Sequence, residues 1–226
     1  SSTPLTAANV SYNINGTKVT QAWTGSLGQC DTASVVFSTP YTFSGGSFTM
    51  KAYIDSLSPI VTNDTLAVSG CIGLAGNYTI DPAGSGPANY TTFTAAINAM
   101  TGCGIAGPVV FTVANGSYNE QLLIPVISGS SSTNTITFKG SGKTTTILKY
   151  YTTVGNEYVV RLNGSSNIFF RDMSILSTNP TVAWNLHVMN GTNIGVTNCV
   201  IGDSANQYYN VMVSTICLLY TSDAAD

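Results

Sequence analysis

Asn163-Gly164-Ser165-Ser166-Asn167-Ile168 is echoed by Asn190-Gly191-Thr192-Asn193-Ile194, and this pair of turns decides the fold. Each runs into an apolar stretch, Phe169-Phe170-Arg171-Asp172-Met173-Ser174-Ile175 and Val196-Thr197-Asn198-Cys199-Val200-Ile201. Upstream, Asn115-Gly116-Ser117 and Lys139-Gly140-Ser141 punctuate the chain in the same way. Gly116, Gly140, Gly164 and Gly191 thus recur at nearly equal intervals. One winding of a parallel β-helix takes close to that interval, and stacked windings bury what no single repeat can bury alone. The reading is a right-handed parallel β-helix in which the four glycines form one structural turn column, glycine supplying positive φ at each. The first winding fits less well, because Phe111 and Val113 sit one residue off the later apolar positions.

Composition agrees with an all-β extracellular protein. Hydrophobic residues make up 43% of 226 and charged residues only 8%, so Thr, Ser, Asn and Gly must fill the surface. Seven basic residues without a cluster exclude a nucleic-acid partner and a polybasic membrane patch. The longest apolar run, residues 211–220, is too short for a membrane span. The expected location is therefore extracellular or cell surface. The chain opens inside what reads as a running domain, so a missing signal peptide says nothing against this. Five cysteines lack C-x-x-C spacing and there is one histidine, so no metal and no cofactor is expected. Cys71 and Cys103 bracket one compact segment and are candidates for a disulfide, with buried free thiols as the alternative. Eight N-x-S/T sequons carry little weight in a chain this rich in Asn and Thr.

Residues 1–69 alternate with period two. Val10, Tyr12 and Ile14 share a face before a hairpin turn at Asn15-Gly16, and Phe48, Met50, Ala52 and Ile54 alternate again. With Trp23-Thr24-Gly25, Leu27-Gly28, Ser34-Val35-Val36-Phe37 and Gly46-Ser47-Phe48, this stretch resembles Ig-like (CARDB-type) adhesion modules of bacterial surface proteins. That resemblance implies a β-sandwich, N-terminally truncated, and no activity. Residues 70–76 read as a linker. Residues 90–100 then form a helix with Phe93, Ile97 and Met100 on one stripe, Thr91 or Thr92 as cap, and Gly102 and Gly104 as its stop.

Residues 77–148 resemble the opening of pectin-methylesterase/pectate-lyase-like right-handed parallel β-helices of large bacterial secreted or surface proteins. The carrying motifs are Asp81-Pro82-Ala83-Gly84-Ser85-Gly86, Tyr90-Thr91-Thr92-Phe93, Gly116-Ser117-Tyr118-Asn119-Glu120, Ile136-Thr137-Phe138-Lys139-Gly140 and Thr145-Thr146-Ile147-Leu148. The resemblance implies that the α-helix caps the N-terminal end of the coil, where open strand edges invite aggregation. It does not bring the chemistry. An esterase of that family needs two aspartates, glutamines for the oxyanion and an arginine. Here Ala183-Trp184-Asn185-Leu186-His187-Val188 has no Gln, and Asp203 and Gln207 stand in the wrong order.

The expected organisation is an Ig-like module (1–69), a linker (70–76), a C-terminally truncated β-helix (77–216) and a tail read as non-native (217–226). The tail breaks both composition and repeat and resembles a translated sequencing adapter. No residue is assigned a catalytic part. Trp184 with Tyr208 and Tyr209 offers aromatic faces for sugar rings, and Arg171 and His187 are polar candidates beside them, with packed or solvated side chains as the plain alternative. Arg171-Asp172 reads first as a solvated or local ion pair, and Glu120 as a structural hydrogen-bond acceptor. The leading function is a non-catalytic module for adhesion or polysaccharide contact, its partner a polysaccharide or cell-surface glycan. The alternatives are a carbohydrate-active enzyme whose catalytic coils lie beyond the C-terminus, and a rigid spacer.

Overall fold

The structure, a computed structural model, describes residues 3–55, 65–181, 183–202, 211–214 and 219–222, the last two segments as backbone only. The chain divides into two compact units, residues 1–43 with 47–71 and residues 44–46 with 72–226. Among the described residues no helix is long and apolar enough to cross a membrane.

The first unit is built on one sheet. β1 (Leu5–Ile14) and β2 (Thr17–Leu27) are antiparallel and joined at Asn15-Gly16, whose φ of 48° and 91° are those of a two-residue hairpin turn. β3 (Gly46–Ile54) runs antiparallel on the other side of β1, and β4 (Leu66–Ile72) lies beyond it, giving the order β2-β1-β3-β4. Ala8, Tyr12 and Ile14 are buried on one face, as the period-two pattern requires. The described residues of this unit show one sheet rather than a two-sheet sandwich. Ser34–Phe37, expected as a strand, has no strand pairing. This stretch docks by side chains instead: Phe37 meets Tyr12 edge-on at 4.7 Å, and the Tyr12 hydroxyl donates to the Thr39 carbonyl at 3.0 Å.

The second unit is a parallel β-helix. Its elements are β5 (Leu74–Ile80), β6 (Asn89–Tyr90), α1 (Phe93–Cys103), β7 (Ile105–Val113), β8 (Gly116–Asn119), β9 (Leu122–Pro125), β10 (Ile136–Lys139), β11 (Thr146–Tyr150), β12 (Tyr158–Asn163), β13 (Ile168–Arg171), β14 (Ser174–Ser177), β15 (Trp184–Met189), β16 (Ile194–Thr197), β17 (Val200–Ile201), β18 (Val211–Ser214) and β19 (Leu219–Ser222). From β7 onward every third strand falls in the same sheet. Sheet I has the order β6-β5-β7-β10-β13-β16-β19, sheet II β8-β11-β14-β17 and sheet III β9-β12-β15-β18. The pairs are parallel and in register, so position stacks on position from coil to coil.

Register explains the core. Val109, Ile136, Ile168 and Ile194 form one inward column, and Phe111, Phe138, Phe170 and Val196 the next. Phe111 stacks on Phe138 at 5.2 Å and 16°, and Phe138 on Phe170 at 5.5 Å and 11°. All three rings are fully buried. α1 lays the stripe Phe93, Ala96, Ile97 and Met100 against β5, β6 and β9, with Phe93 reaching the Phe138 ring at 5.7 Å. Thr92 caps it by accepting from Ala95 N–H at 3.0 Å. Gly104 ends it at φ 68°, whereas Gly102, expected as a second stop, lies inside the helix.

The single glycine column is corrected by the same register. Sheet I advances from Val109 to Ile136, Ile168, Ile194 and Leu219, in steps of unequal length. Gly140 follows β10 at the corner between sheets I and II, and its successors there are Asp172 and Asn198, both at positive φ. Gly116 opens β8 on the far side of that corner, opposite Thr146. Gly164 and Gly191 belong to the corner between sheets III and I, and even there Gly164 is level with Asn190 while Gly191 is level with Ser165. Each coil has three corners, so a spacing close to one coil does not say which corner a glycine occupies. Gly140 is not needed for its φ: a Cβ there would lie 2.2 Å from the Asp172 carbonyl oxygen, so close approach of the next coil demands it. The one-residue slip at Phe111 vanishes with the column, since Val113, not Gly116, is level with Gly140.

The polar corners are ladders as well. Asn193 Nδ2 donates to Asn167 Oδ1 at 2.8 Å, and Asn198 Nδ2 donates to Asp172 Oδ1 at 2.6 Å. Inside the corner between sheets II and III, buried Thr152, Ser177 and Asn179 bond one another, so burying them is offset by paired polar groups. Phe138→Ala empties the middle of the ring stack and is expected to cost about 3–5 kcal/mol. Thr137→Ala, on the outer face one residue away, should stay within about 0.5 kcal/mol in the same denaturant titration.

Candidate functional site

Sheet III carries the best-formed cluster of functional side chains. With Leu162, Leu186 and Val188 buried inside, the intervening positions face outward, and register aligns Leu123, Arg161 and His187 across three strands. Arg161 Nε donates to His187 Nδ1 at 3.2 Å. That bond requires an unprotonated Nδ1 and hence a neutral imidazole carrying its proton on Nε2. Trp184 meets His187 edge-on with centroids 4.6 Å apart, and the Arg161 guanidinium lies 4.0 Å from the centre of the Tyr158 ring. His187 is only 5% exposed beneath these neighbours, whereas Trp184 and Arg161 remain half-exposed. Glu157 closes one side of the cluster, its carbonyl accepting from the Trp184 N–H.

Electrostatics follow from this packing. Burial, then the Arg161 charge, holds His187 below the ordinary imidazole range, against a weaker upward pull from Glu157. The Glu157 carboxylate is pulled down first by the Gly155 N–H, which donates to Oε1 at 2.9 Å. The cluster is therefore a half-exposed indole, a fixed guanidinium and a neutral imidazole on a rigid sheet. Such a surface suits stacking and hydrogen bonding to a sugar chain.

The residues named from sequence are distributed as follows. Trp184 and His187 are brought together. Arg171 is on sheet I, away from them, its guanidinium 5.9 Å from the Phe169 ring centre. Tyr208 and Tyr209 lie outside the described residues. Asp172 is not an ion-pair partner of Arg171; it takes a left-handed conformation and joins the Asn198 ladder. Glu120 has the structural part expected of it: Oε1 accepts from Phe93 N–H at 3.0 Å, and Oε2 from Thr94 N–H at 2.8 Å and Thr94 Oγ1 at 2.6 Å. It is thereby a second cap on α1. Cys71 and Cys103 are disulfide-bonded. Sequence reasoning missed Arg161 and Tyr158. Arg161 stands one coil length before His187, and that interval was the signal available.

Among solved structures the chain is similar to a pectin methylesterase mutant in complex with a hexasaccharide, with TM-score 0.44 and 16% identity, covering 54% of this chain and 42% of that one. It is also similar to pectin methylesterase PemA from Erwinia chrysanthemi, with TM-score 0.43 and 16% identity over 64% of this chain and 44% of the other. The chain thus spans less than half the length of these enzymes. No family model matches it, and neither does any curated protein. The parallel β-helix rests on the strand register described above.

Two outcomes test this local picture. The His187 pKa is lower in the folded chain than the unfolded value of about 6.5. The unfolded chain therefore takes up the proton first, and stability drains away as pH falls below about 6.5 toward the folded value. His187→Gln should lose less melting temperature than the parent between pH 7 and pH 5. Glu120→Ala should cost about 1–2 kcal/mol in denaturant unfolding at pH 7, with Glu120→Gln recovering part of the loss.

Proposed function

We infer that the β-helical unit is a non-catalytic polysaccharide-contact module of a larger secreted or surface protein, and that the outer face of sheet III makes the contact. The supporting observation is the half-exposed Trp184 ring fixed against His187 and flanked by the Arg161–Tyr158 pair. An indole face stacks on the apolar C–H surface of a pyranose, and the guanidinium supplies a planar fork for ring hydroxyls. Nothing described in this cluster pairs a nucleophile with a base: Glu157 is its one described carboxylate, and it is bonded to the Gly155 N–H. The disulfide-bonded Cys71 and Cys103 favour an oxidising, extracytoplasmic location. The inferred task of α1, laid over β5, β6 and β9, is to cap the coil.

The test is a glycan array followed by titration of the strongest hit. One similar enzyme was solved with a hexasaccharide, so pectin-derived oligosaccharides belong among the probes. Trp184→Ala should weaken the strongest hit about threefold to tenfold, the equivalent of about 0.5–1.5 kcal/mol from one aromatic contact, with the β-sheet circular-dichroism spectrum retained at the temperature of the titration. Failure of the parent to bind any glycan would overturn the reading. Methanol release from methyl-esterified pectin would replace it with an esterase.

A further inference from the structure

The outer face of the first unit's antiparallel sheet holds a groove. Asn9, Ser11 and Asn13 of β1 alternate with the buried Ala8, Tyr12 and Ile14, so this face is polar. Register places Lys18 of β2 and Lys51 of β3 on either side of Asn13, and Thr20 and Tyr53 on either side of Ser11. A groove of about 550 Å³ is lined by Asn13, Asn15, Thr49, Lys51, Tyr53 and Thr65. That volume falls within the range of small-molecule sites, about 300–1,000 Å³. Its walls are held in place by the protein itself. Asn15, at the hairpin turn, fastens that turn to β3: its Oδ1 accepts from Thr49 N–H at 3.0 Å and its Nδ2 donates to the Ser47 carbonyl at 3.3 Å. Such preorganisation lowers the ordering cost of binding.

The two lysines differ in what they face. Lys18 Nζ is bound to Asp55 Oδ2 at 2.5 Å, and the fully buried Ser11 donates to the same oxygen at 3.2 Å. The Lys18 charge is thereby matched, with its Nζ 5.7 Å from the Tyr53 ring centre. Lys51 is exposed at the groove and in no ion pair among the described residues, where Lys18–Asp55 is the one such pair. Hydrogen-bonding capacity points the same way. Asn13 Oδ1 already accepts from Gly16 N–H at 3.0 Å, and Asn15 Oδ1 is taken by Thr49 N–H. With both amide oxygens committed, Asn13 Nδ2 and Lys51 Nζ are what the groove offers, and both are donors. No carboxylate stands among its described lining residues. A cation, an amide donor and a phenol ring together select an anion with a flat body. We propose that this groove binds a carboxylate carried on a six-membered ring. Lys51 Nζ and Asn13 Nδ2 hold the carboxylate, and the ring rests against Tyr53. A sugar acid and an aromatic acid share that chemistry, and the probes separate them.

This site belongs to the first unit and uses none of the sheet III cluster, so either can fail alone. The probes are glucuronate and benzoate, their neutral counterparts methyl glucoside and benzyl alcohol, and acetate as a carboxylate without a ring. Each is titrated against the full chain by saturation-transfer NMR. At least one ring acid should bind about tenfold tighter than its neutral counterpart and than acetate, and which of the two it is identifies the source of the ring. Lys51→Gln should lose about tenfold for that acid, whereas Lys51→Arg, which keeps the charge, should retain most of the affinity. Tyr53→Leu should bring the ring acid down to the level of acetate. Lys143→Gln removes the same charge from an exposed position in the second unit and should change nothing, as should Trp184→Ala. Absence of binding by both ring acids, equal binding of acids and neutral counterparts, unchanged binding by Lys51→Gln, or an equal loss in Lys143→Gln would each overturn the proposal.

Discussion

Parallel, in-register stacking puts each residue of a coil about one strand spacing above its counterpart in the coil before, and most of the second unit follows from that constraint. Like must tolerate like. Inward, the solution is a column of phenyl rings, where Phe111, Phe138 and Phe170 stack nearly parallel. At the corners, the solution is amide on amide or carboxylate, with Asn193 bonded to Asn167 and Asn198 to Asp172. Where a carbonyl of one coil presses on the backbone of the previous one, as Asp172 does on Gly140, only a residue without Cβ fits. A stack has two exposed edges, however, and α1 lies over the first strands with its own N-terminus fastened by Thr92 and Glu120.

How much of this could be read in the sequence depended on whether the signal was local or relational. The hairpin at Asn15-Gly16 and the helix stripe Phe93–Ile97–Met100 are local, and both stand in the structure. The repeat pointed to the β-helix, because the interval between coils is a property of the whole winding. It did not reveal the corner each glycine occupies, since Gly116, Gly140, Gly164 and Gly191 come from different corners that happen to recur at nearly one coil length. The inward columns were the better ruler: Phe111, Phe138 and Phe170 are fixed by packing, while turns accept several residue types. The sandwich expectation met the opposite difficulty. Val35, Val36 and Phe37 are β-formers by composition, yet the described backbone there pairs with no strand, and Phe37 anchors the segment through its ring.

The candidate site was half legible for the same reason. Trp184 and His187 lie close together on one strand, so sequence proximity brought them together. Arg161 reaches His187 only through the stacking of β12 on β15, and its partnership with Tyr158 is set within its own strand. Arg171 was grouped with them by chemistry alone, and the solenoid sends it to another face, beside Lys139. In such an architecture the useful distance between two functional residues is the difference in their numbers modulo one coil.

The unequal steps of sheet I carry a wider implication. The stretch from Ile136 to Ile168 is longer than the stretch from Ile168 to Ile194, yet both pairs remain aligned within the same ladder. The surplus is taken up chiefly by the corner between β10 and β11 at residues 140–145, because Lys139 and Ile147 are level with Arg171 and Ser174. Length is thus decoupled from register. Evolution, or an engineer, can lengthen or exchange that excursion to reshape what borders sheets I and II while the stacked interior stays untouched, much as a fixed frame accepts interchangeable panels.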